Sequence, residues 1–548
     1  MQYYPAMRTP VAILALSCTL LLQPQAQSAV RLVVVVVVDQ FRADYLTTFA
    51  SHWRAGFKTI TAEGAVFTAA AYPYFYTDTC AGHFTIGTGT LPRTHGMVAD
   101  TWWEPSLKRT IECTDDDQAT NLSYGRGTKT GKSVKWSKAP AFADQLRAAR
   151  NGARVVTLSL KPRSAIGLAG QRGDAVTWFD EAPGVLSFMT SKAFATEPVP
   201  AVRAFLDRDR FDGDVGKTWT LRDPANSYRN RDAGLGERPP APWTGLFPHD
   251  IKSAVPPAGG KPNPDQALGL WRQSPFADAY LGRMATAMID AFDLGRDETT
   301  DFLGVSFSAV DYVGHAFGPD SRELEDTVAR MDDTLGALIA HLDARVGRAN
   351  YVLALSADHG APQAPVHRGV SRVPTEDVRE RIEDTLMTHW GPAAGDRYVV
   401  AGGTFLKLAD GVAARLQKEP AVLRTLQKEV ASIPGIARLL VTDQMSETSK
   451  DPIERAAALS RFAGRTGELI VVAKPDWQLL GRNATSASMH GSPYDYDQRV
   501  PVVLFGAGIK PGTYPNAVTP ADIAPTLARI ANVPMPKVDG RVLKEALR

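Results

Sequence analysis

Several stretches of the chain consist almost entirely of apolar, often β-branched residues. The first reads RLVVVVVV over residues 31–38 and ends at Asp39. Similar stretches follow at 154–159, 302–307, 351–356 and 501–505. A strand that is buried on both faces shows such an unbroken apolar run rather than an alternation of apolar and polar residues. The pattern therefore predicts the central strands of a parallel sheet.

Between several of these predicted strands, apolar residues recur with the spacing of a helix. Such helical patterns lie at 140–150, 322–344 and 521–531. Strands that alternate with helices indicate an α/β fold, with a doubly wound, mostly parallel central sheet flanked by helices. The segments around 174–275 and 375–485 fit this pattern less well. We interpret both as insertions that cap the ligand-binding edge of one domain, 29–548, with an independent domain as the alternative.

The first 28 residues show the pattern of an export signal. Arg8 precedes an apolar run at 11–22, and small residues follow, so we expect cleavage near Ser28 or Ala29. This predicts a periplasmic or secreted protein. The apolar run is too short to cross a bilayer comfortably, so no stable membrane insertion is expected after cleavage. An N-terminal anchor that stays attached is the alternative.

Composition and charge restrict the partners of the chain. Of its 548 residues 44% are hydrophobic and 22% charged, the balance of an ordinary globular protein. The net charge of +2 gives no electrostatic argument for binding nucleic acid. Cys80 and Cys113 remain after removal of the signal, and an even number of cysteines in an exported chain favours a disulfide. Two buried free thiols are the alternative.

Side chains that can bind a metal follow the ends of the predicted strands. These candidate ligands are Asp39, Asp311, His315, Asp358, His359 and, in a loop before the last strand, His490. In a doubly wound sheet, ligands bind at the carboxyl ends of the strands. Carboxylate and imidazole together suit Zn²⁺. Each pair alone is weak evidence, but the ordered set predicts a catalytic metal site.

Further motifs lie between these positions. They are Asp39-Gln40, Thr79-Cys80-Ala81-Gly82-His83, His95-Gly96, Lys161-Pro162-Arg163 and the passages 301–360 and 490–548. With these motifs the sequence resembles the alkaline phosphatase superfamily, and more narrowly the bacterial phosphate-irrepressible alkaline phosphatases with a threonine nucleophile. The resemblance covers nearly the whole mature chain. It implies an alkaline phosphatase-like fold and an enzyme that hydrolyses small-molecule phosphate monoesters.

The resemblance also implies two zinc ions and a covalent intermediate. One zinc would be held by Asp311, His315 and His490. The other would be held by Asp39, Asp358 and His359, and would also bind the oxygen of the nucleophile Thr79. Two such metals stabilise the attacking and leaving oxygens of an in-line displacement. The expected reaction passes through a phospho-threonine on Thr79, which water hydrolyses to release inorganic phosphate.

Lys161 and Arg163 are candidates for binding the phosphoryl group. They alternate along an extended segment, so both side chains can point the same way and contact the non-bridging oxygens. In the resembling family this pair marks phosphate monoesterases, whereas the related diesterases lack it. A monoester dianion also carries more charge than a diester. A solvated basic turn is the alternative.

Asp100 departs from the family pattern, which has an asparagine whose amide helps to hold a phosphoryl oxygen. Three interpretations are open. Asp100 is protonated and still donates, it pairs with Lys161 or Arg163 and weakens their contact with substrate, or it marks a shift toward diesters or a substrate with a cationic group. We expect a retained but altered phosphatase with Asp100 in its catalytic site.

The main alternative is a phosphodiesterase or nucleotide pyrophosphatase of the same superfamily, which would share the metals and Thr79. A sulfatase is excluded because residues 79–83 lack the proline and arginine of its motif. A non-catalytic relative of the fold would be expected to lack metal ligands, and all of them are present. Trp102, Trp103 and Trp178 are candidates for the walls of a leaving-group pocket, with ordinary packing as the alternative.

Overall fold

A twisted sheet of eleven strands runs through the molecule in the computed structural model. The structure describes Met1 and residues 30–125, 130–180, 186–252, 263–362 and 372–548. The expected signal segment, apart from Met1, lies outside the described residues. Among the described helices, none combines the length and the apolar character needed to cross a membrane.

The strands are numbered in chain order. They are β1 (Leu32–Val38), β2 (Ala65–Ala70), β3 (Thr101–Glu104), β4 (Arg109–Glu112), β5 (Asp115–Ser123), β6 (Thr130–Lys132), β7 (Val155–Ser159), β8 (Ala175–Asp180), β9 (Ser187–Ser191), β10 (Thr218–Trp219), β11 (His249–Asp250), β12 (Asp301–Phe307), β13 (Tyr351–Ser356), β14 (Arg372–Pro374), β15 (Val399–Gly402), β16 (Phe405–Leu408), β17 (Ile436–Val441), β18 (Leu469–Ala473), β19 (Gln478–Leu480), β20 (Val502–Gly506) and β21 (Gly512–Val518).

The α-helices follow the same convention. They are α1 (Tyr45–Thr48), α2 (Gly56–Glu63), α3 (Thr79–Thr88), α4 (Pro92–His95), α5 (Phe142–Ala149), α6 (Pro162–Ala169), α7 (Pro200–Arg208), α8 (Pro264–Arg272), α9 (Pro275–Ala291), α10 (Ala309–Phe317), α11 (Arg322–Arg345), α12 (Thr375–Trp390), α13 (Val412–Lys418), α14 (Pro420–Ala431), α15 (Pro452–Leu459), α16 (Asp495–Gln498) and α17 (Ile523–Ile530).

The central strands of the large sheet are parallel. The strand order is β21-β2-β20-β13-β1-β12-β7-β8-β9-β5-β6. From β13 to β8 all neighbours are parallel, whereas β20, β9 and β5 each pair antiparallel with their neighbours. The predicted α/β sheet is confirmed, and its flanks make it a mixed sheet. Only six residues, 181–186, separate β8 from β9, too few for the crossover that a parallel pair requires.

The valine run of β1 lies at the centre of a sheet that is covered on both faces. All seven residues of β1 are buried. Because successive side chains point to opposite faces, Val34 and Val36 pack with a cluster that includes α2, α9 and α11. Val33 and Val35 pack with a second cluster that includes α5, α6 and α17. Burial on both faces favours a continuous apolar strand over an alternating one.

The two segments interpreted as insertions differ in structure. Residues 174–275 begin with β8 and β9 of the large sheet, and continue into loops that include the short pair β10–β11. Residues 375–485 form a separate sheet of order β15-β16-β18-β17, with its own hydrophobic cluster against α12 and α14. Both segments contribute residues to cavities that border the site described next.

Candidate active site

The carboxyl ends of three adjacent parallel strands bring the predicted metal ligands together. Asp39 follows β1, and Asp358 with His359 follows the neighbouring strand β13. On the other side of β1, strand β12 leads into α10, which carries Asp311. Neighbouring parallel strands end at the same edge of the sheet, so these residues meet although more than 300 positions separate some of them in sequence.

One group of potential metal ligands consists of Asp39, Asp358 and His359, which are all fully buried. The Nε2 atom of His359 lies 3.5 Å from Asp39 Oδ1 and 3.6 Å from Asp358 Oδ2. Within the described part of the chain, His359 Nε2 and Asp39 Oδ1 have no hydrogen-bond partner, and Asp358 Oδ2 has only a 3.3 Å contact with His83 Nδ1. Buried polar atoms without partners are costly, so their convergence fits a bound cation.

A second group lies beside the first. Asp311, His359 and His490 offer ligand atoms close together, so His359 borders both groups. His315 Nε2 lies 3.0 Å and His490 Nε2 3.8 Å from Asp311 Oδ1. The rings of His359 and His490 stack with centroids 3.5 Å apart, and those of His315 and His490 are 5.3 Å apart. The structure thus brings together all the ligands named from the sequence.

Backbone carbonyls orient the three imidazole rings. The Nδ1 atom lies 2.7 Å from Ser488 O in His315, 2.9 Å from Gly360 O in His359 and 3.0 Å from Thr77 O in His490. A carbonyl only accepts, so each Nδ1 carries a proton. Burial lowers the pKa of His359 and His490, so these two rings present an Nε2 lone pair, whereas in His315 the charge of Asp311 outweighs burial and raises the pKa. These lone pairs face carboxylates, which are also acceptors. Metal-binding histidines show this arrangement, in which the second nitrogen is fixed by a hydrogen bond.

The charges of the site are strongly coupled. Burial, together with the charges of Asp311 and Asp358, raises the pKa of Asp39 well above its ordinary value. Burial also opposes ionisation of Asp311, but the charges of His315 and Lys161 hold its pKa well below the ordinary value. Lys161 Nζ lies 2.6 Å from both Asp39 and Asp311. One lysine thus partly balances carboxylates from both ligand groups.

Thr79 begins helix α3 at the centre of this arrangement. The side chain of Asp78 caps the helix by accepting a hydrogen bond from the Ala81 N–H. The Thr79 hydroxyl oxygen lies 3.4 Å from Lys161 Nζ and 3.5 Å from an Arg163 terminal nitrogen. Thr79 is almost completely buried. The structure therefore brings this hydroxyl together with the two predicted phosphoryl-binding cations.

Asp100 is paired with Arg163, which was one of the three interpretations left open by the sequence. Its Oδ2 lies 2.9 Å from Arg163 Nε, and its Oδ1 accepts a hydrogen bond of 2.8 Å from the Cys80 N–H. Its own N–H donates to Asp78 at 2.6 Å. The backbone at the start of α3 and one edge of the guanidinium therefore hold Asp100 in place.

The predicted disulfide between Cys80 and Cys113 is present in the structure. Cys80 follows Thr79 directly, and Cys113 follows strand β4. The Cys113 N–H also donates to the carbonyl of Asp100 at 2.8 Å. The disulfide thus fastens the start of α3, which carries Thr79, to the β3–β4 hairpin.

Several residues that support the site were not singled out from the sequence. Gln40 donates through Nε2 to Asp311 at 2.7 Å and through its backbone N–H to Asp358 at 3.1 Å. The His83 ring contacts the Thr79 carbonyl at 2.8 Å and the Ser306 hydroxyl at 2.7 Å. Their only sequence signal was their position inside motifs that also contain a candidate ligand or Thr79.

A cavity of about 430 Å³ opens beside Asp78 and Asp100. Trp102 and Trp103 line it, together with residues of the 375–485 segment such as Phe405. Trp178 is different, because it is 1% exposed and packs in the core beneath the hairpin. Two of the three tryptophans proposed as pocket walls thus lie at a cavity, and the third belongs to the packed interior.

The chain is similar to proteins that are named as phosphodiesterases and alkaline phosphatases. The family described as type I phosphodiesterase / nucleotide pyrophosphatase matches residues 33–493. The chain is 30% identical over 517 residues to alkaline phosphatase PafA of Elizabethkingia meningoseptica, covering 92% of each protein. It is 29% identical over 543 residues to alkaline phosphatase PhoK of a Sphingomonas species, covering 94% of this chain and 90% of that protein.

Solved structures agree with these sequence relatives. A crystal structure of wild-type alkaline phosphatase PafA matches with a TM-score of 0.83 and 28% identity, over 95% of this chain and 99% of that one. Murine ectonucleotide pyrophosphatase / phosphodiesterase 5 matches with a TM-score of 0.55 and 15% identity, over 94% of this chain and 100% of that one. The second similarity concerns the fold alone.

Proposed function

This chain belongs to the type I phosphodiesterase / nucleotide pyrophosphatase family of the alkaline phosphatase superfamily, and we propose that it hydrolyses phosphate monoesters with Thr79 as the nucleophile. Hydrolysis of phosphoester bonds is the chemistry of this family and of its alkaline phosphatase members. The choice of monoesters and the roles of individual residues are the finer part of the proposal.

We propose two zinc ions as the cofactors. Asp311, His315 and His490 would hold one, and Asp39, Asp358 and His359 would hold the other next to the Thr79 oxygen. The support is the convergence of carboxylate oxygens and imidazole nitrogens in two adjacent groups, together with the buried His359 Nε2 and carboxylate oxygens that have no hydrogen-bond partner among the described residues. When bound, the two ions would supply positive charge to the attacking and leaving oxygens of the displacement.

In the proposed reaction the Thr79 oxygen forms a bond to phosphorus while the bond to the ester oxygen breaks. The Thr79 hydroxyl gives up its proton, and the leaving oxygen gains one, by exchange through solvent. One water then hydrolyses the phospho-threonine to inorganic phosphate and returns a proton to the Thr79 oxygen. Asp78 and His83 position the nucleophile, because one caps α3 and the other contacts the Thr79 carbonyl. Burial of Thr79 limits competing contact with solvent.

The observation that carries the monoesterase proposal is the approach of two cations to the nucleophile. Lys161 and Arg163 lie 3.4 and 3.5 Å from the Thr79 hydroxyl oxygen, where they can contact non-bridging phosphoryl oxygens. The charges of neighbouring carboxylates outweigh burial and keep the pKa of Lys161 above its ordinary value, so the ammonium stays charged. Two cations favour a monoester dianion over a diester monoanion.

Phosphodiester hydrolysis is the second candidate, and the environment of Asp100 favours it. Asp100 occupies one edge of Arg163 and so withdraws part of that cation from the substrate. The cavity of about 430 Å³ beside Asp100 offers room for a second ester group. Both features weaken selection for a small dianion.

The two candidates are separated by comparing phenyl phosphate with methyl phenyl phosphate on zinc-loaded mature protein. We expect a higher kcat/KM for the monoester, and a loss of about a hundredfold in monoester turnover for Lys161→Ala and Arg163→Ala. The exposed residue Lys192 provides a matched control, Lys192→Ala, with the same change of charge. A preference for the diester that survives both active-site substitutions would make the second candidate the function of this protein.

The covalent step has its own test. Rapid acid quenching during turnover should trap a phosphorylated peptide that contains Thr79. Thr79→Ser keeps a hydroxyl and should retain turnover, whereas Thr79→Ala should lose both turnover and label. Labelling of Thr79→Ala at the level of the natural enzyme would place the nucleophile elsewhere.

We also propose that the chain is exported to the periplasm or beyond. The support is the signal pattern of residues 1–28 together with the Cys80–Cys113 disulfide, which is typical of proteins in oxidising compartments. Cell fractionation of the full-length chain, followed by N-terminal sequencing, would test it. Recovery of an uncleaved protein in the cytosol would contradict it.

A further inference from the structure

A second cavity of about 470 Å³ opens beside His315. Among the three predicted ligands of one metal ion, His315 has the most exposed side chain, at 23%, compared with 8% for His490 and 3% for Asp311. The cavity wall also includes Gln273, Thr485, Ser486 and Arg238. His315 is thus the ligand through which the proposed metal site meets this open space.

The fold holds Arg238 at the edge of this cavity. Its backbone N–H donates to the carbonyl of Ala316, the residue after His315, at 2.7 Å. Two prolines follow it, Pro239 and Pro240, and restrict the backbone of this loop. The loop is further anchored where Trp243 packs against Phe317 at the end of α10. The position of Arg238 is therefore coupled to the helix that carries Asp311 and His315.

A second arginine, Arg372, lies near Arg238. Its guanidinium donates to the carbonyls of Ser486 and Ala487, and so holds the segment that forms the cavity wall. Burial lowers the pKa of Arg372, and repulsion by the like charge of Arg238 lowers it further. In the parts of the chain that the structure describes, no carboxylate lies within ion-pair distance of either guanidinium. A bound anion would relieve this repulsion.

We infer that the cavity beside His315 is a subsite for leaving groups that carry their own negative charge, with Arg238 as its anion-binding residue. The inference rests on the proposed function, because the ester oxygen would leave on the side of Asp311, His315 and His490. The substrates favoured by this subsite are phosphate monoesters with a second phosphate or a carboxylate on the leaving group. Arg238 would bind that anionic group directly, through the N–H donors of its planar guanidinium.

Two substrates with leaving phenols of similar acidity test the subsite: phenyl phosphate and meta-carboxyphenyl phosphate. The measured quantity is the ratio of kcat/KM for the carboxylated substrate to that for the neutral one. Arg238→Gln should lower this ratio about tenfold, since a hydrogen bond to a charged group is lost. Arg231→Gln is the matched control, because Arg231 is exposed on the same loop and does not line the cavity.

An unchanged ratio in Arg238→Gln, or an equal fall in Arg231→Gln, would overturn the subsite. Binding of the corresponding phosphonates, which are not hydrolysed, keeps the test independent of turnover. Calorimetry on the zinc-loaded protein should show that Arg238→Gln loses about tenfold in affinity for meta-carboxyphenyl phosphonate relative to phenyl phosphonate. Equal affinity losses for the two phosphonates would also reject the inference. Failure of phenyl phosphate turnover in the natural enzyme would instead reject the proposed function.

Discussion

The side chain at position 100 controls how much of Arg163 is free to contact a substrate. Asp100 Oδ2 lies 2.9 Å from Arg163 Nε, while Oδ1 accepts from the Cys80 N–H. An asparagine could keep the second contact, end the ion pair and offer an N–H to a phosphoryl oxygen. We therefore expect Asp100→Asn to raise kcat/KM for phenyl phosphate about tenfold at alkaline pH, measured by release of phosphate.

Asp100→Ala is the comparison variant, because it separates release of Arg163 from the gain of a new donor. It also frees Arg163, but it leaves the Cys80 N–H without its acceptor and adds no donor. Its monoester turnover should therefore stay below that of Asp100→Asn. If neither variant exceeds the natural enzyme, the ion pair does not restrain Arg163 in the way that the structure suggests.

His95 is a buried histidine whose titration should influence stability. Burial and the charge of Arg465 lower its pKa to about 3, and its Nδ1 accepts from the Met97 N–H at 3.0 Å. The unfolded chain, with an ordinary histidine pKa, binds a proton that the folded chain excludes. The stabilisation linked to neutral His95 is therefore complete above about pH 6.5 and is lost as the pH falls toward 3.

His95→Gln should reduce this dependence on pH. Between pH 6.5 and 5, the free energy of unfolding of the variant should fall by about 2 kcal/mol less than that of the natural protein. Urea unfolding midpoints at a fixed zinc concentration measure the difference. Parallel pH profiles for the two proteins would mean that His95 is protonated in the folded state or that water reaches it.

At the scale of elements, helix α10 depends on an acidic residue of α9. Asp278 is 2% exposed and accepts hydrogen bonds from the Ser308 and Ala309 N–H groups at 2.9 and 3.0 Å. These groups lie at the start of α10, just before Asp311. A buried carboxylate at a helix N-terminus satisfies free N–H groups and interacts favourably with the helix dipole.

Removal of this carboxylate should weaken both the fold and the metal site. Asp278→Ala leaves two buried N–H groups without acceptors, so we expect a loss of about 3 kcal/mol in stability and weaker zinc retention during dialysis. Asp278→Asn keeps one acceptor, so its stability and zinc retention should lie between those of Asp278→Ala and those of the natural protein. Urea unfolding and metal analysis measure the two effects. A variant Asp278→Ala as stable as the natural protein would show that the start of α10 finds other partners.

The elements that the sequence predicted well were those with a strong apolar pattern. The run at 31–38 became β1, and the run at 351–356 became β13, because burial on both faces requires continuous apolar residues. The run at 501–505 became β20, yet its antiparallel direction carried no signal of its own. Direction depends on how the chain returns to the sheet, which local periodicity does not encode.

Prediction of the candidate site from the sequence is limited in the same way. Asp39 and Asp358 could be placed from the sequence because each directly follows a predicted strand at the ligand-binding edge. The support that Asp278 gives to the start of α10 could not be predicted, since Asp278 lies within α9 and its hydrogen-bond partners are more than 25 residues away. Likewise, the ion pair of Asp100 with Arg163 depends on how the β3–β4 hairpin approaches α6, a tertiary feature. Sequence patterns find residues at element ends more readily than residues that support them.

At the scale of the whole molecule, the proposed zinc site joins distant parts of the chain. Its ligands come from the end of β1, from α10, from the turn after β13 and from the loop at His490. The carboxylates of Asp39, Asp311 and Asp358 are buried close together, and Lys161 contacts only the first two of them at 2.6 Å. Without metal, the remaining repulsion opposes the packing of these segments against one another.

Zinc should therefore stabilise the entire fold as well as support turnover. We expect two zinc ions per chain by elemental analysis, and a fall in the thermal unfolding temperature when a chelator removes them. At a free zinc concentration a thousandfold above the dissociation constant of a site, binding at that site adds about 4 kcal/mol to the free energy of unfolding. His490→Ala should lose at least one ion, whereas His389→Ala, an exposed histidine on α12, should retain both. Two ions retained in His490→Ala, or unfolding unaffected by the chelator, would contradict this account, because the ligands would then be held together by protein contacts alone.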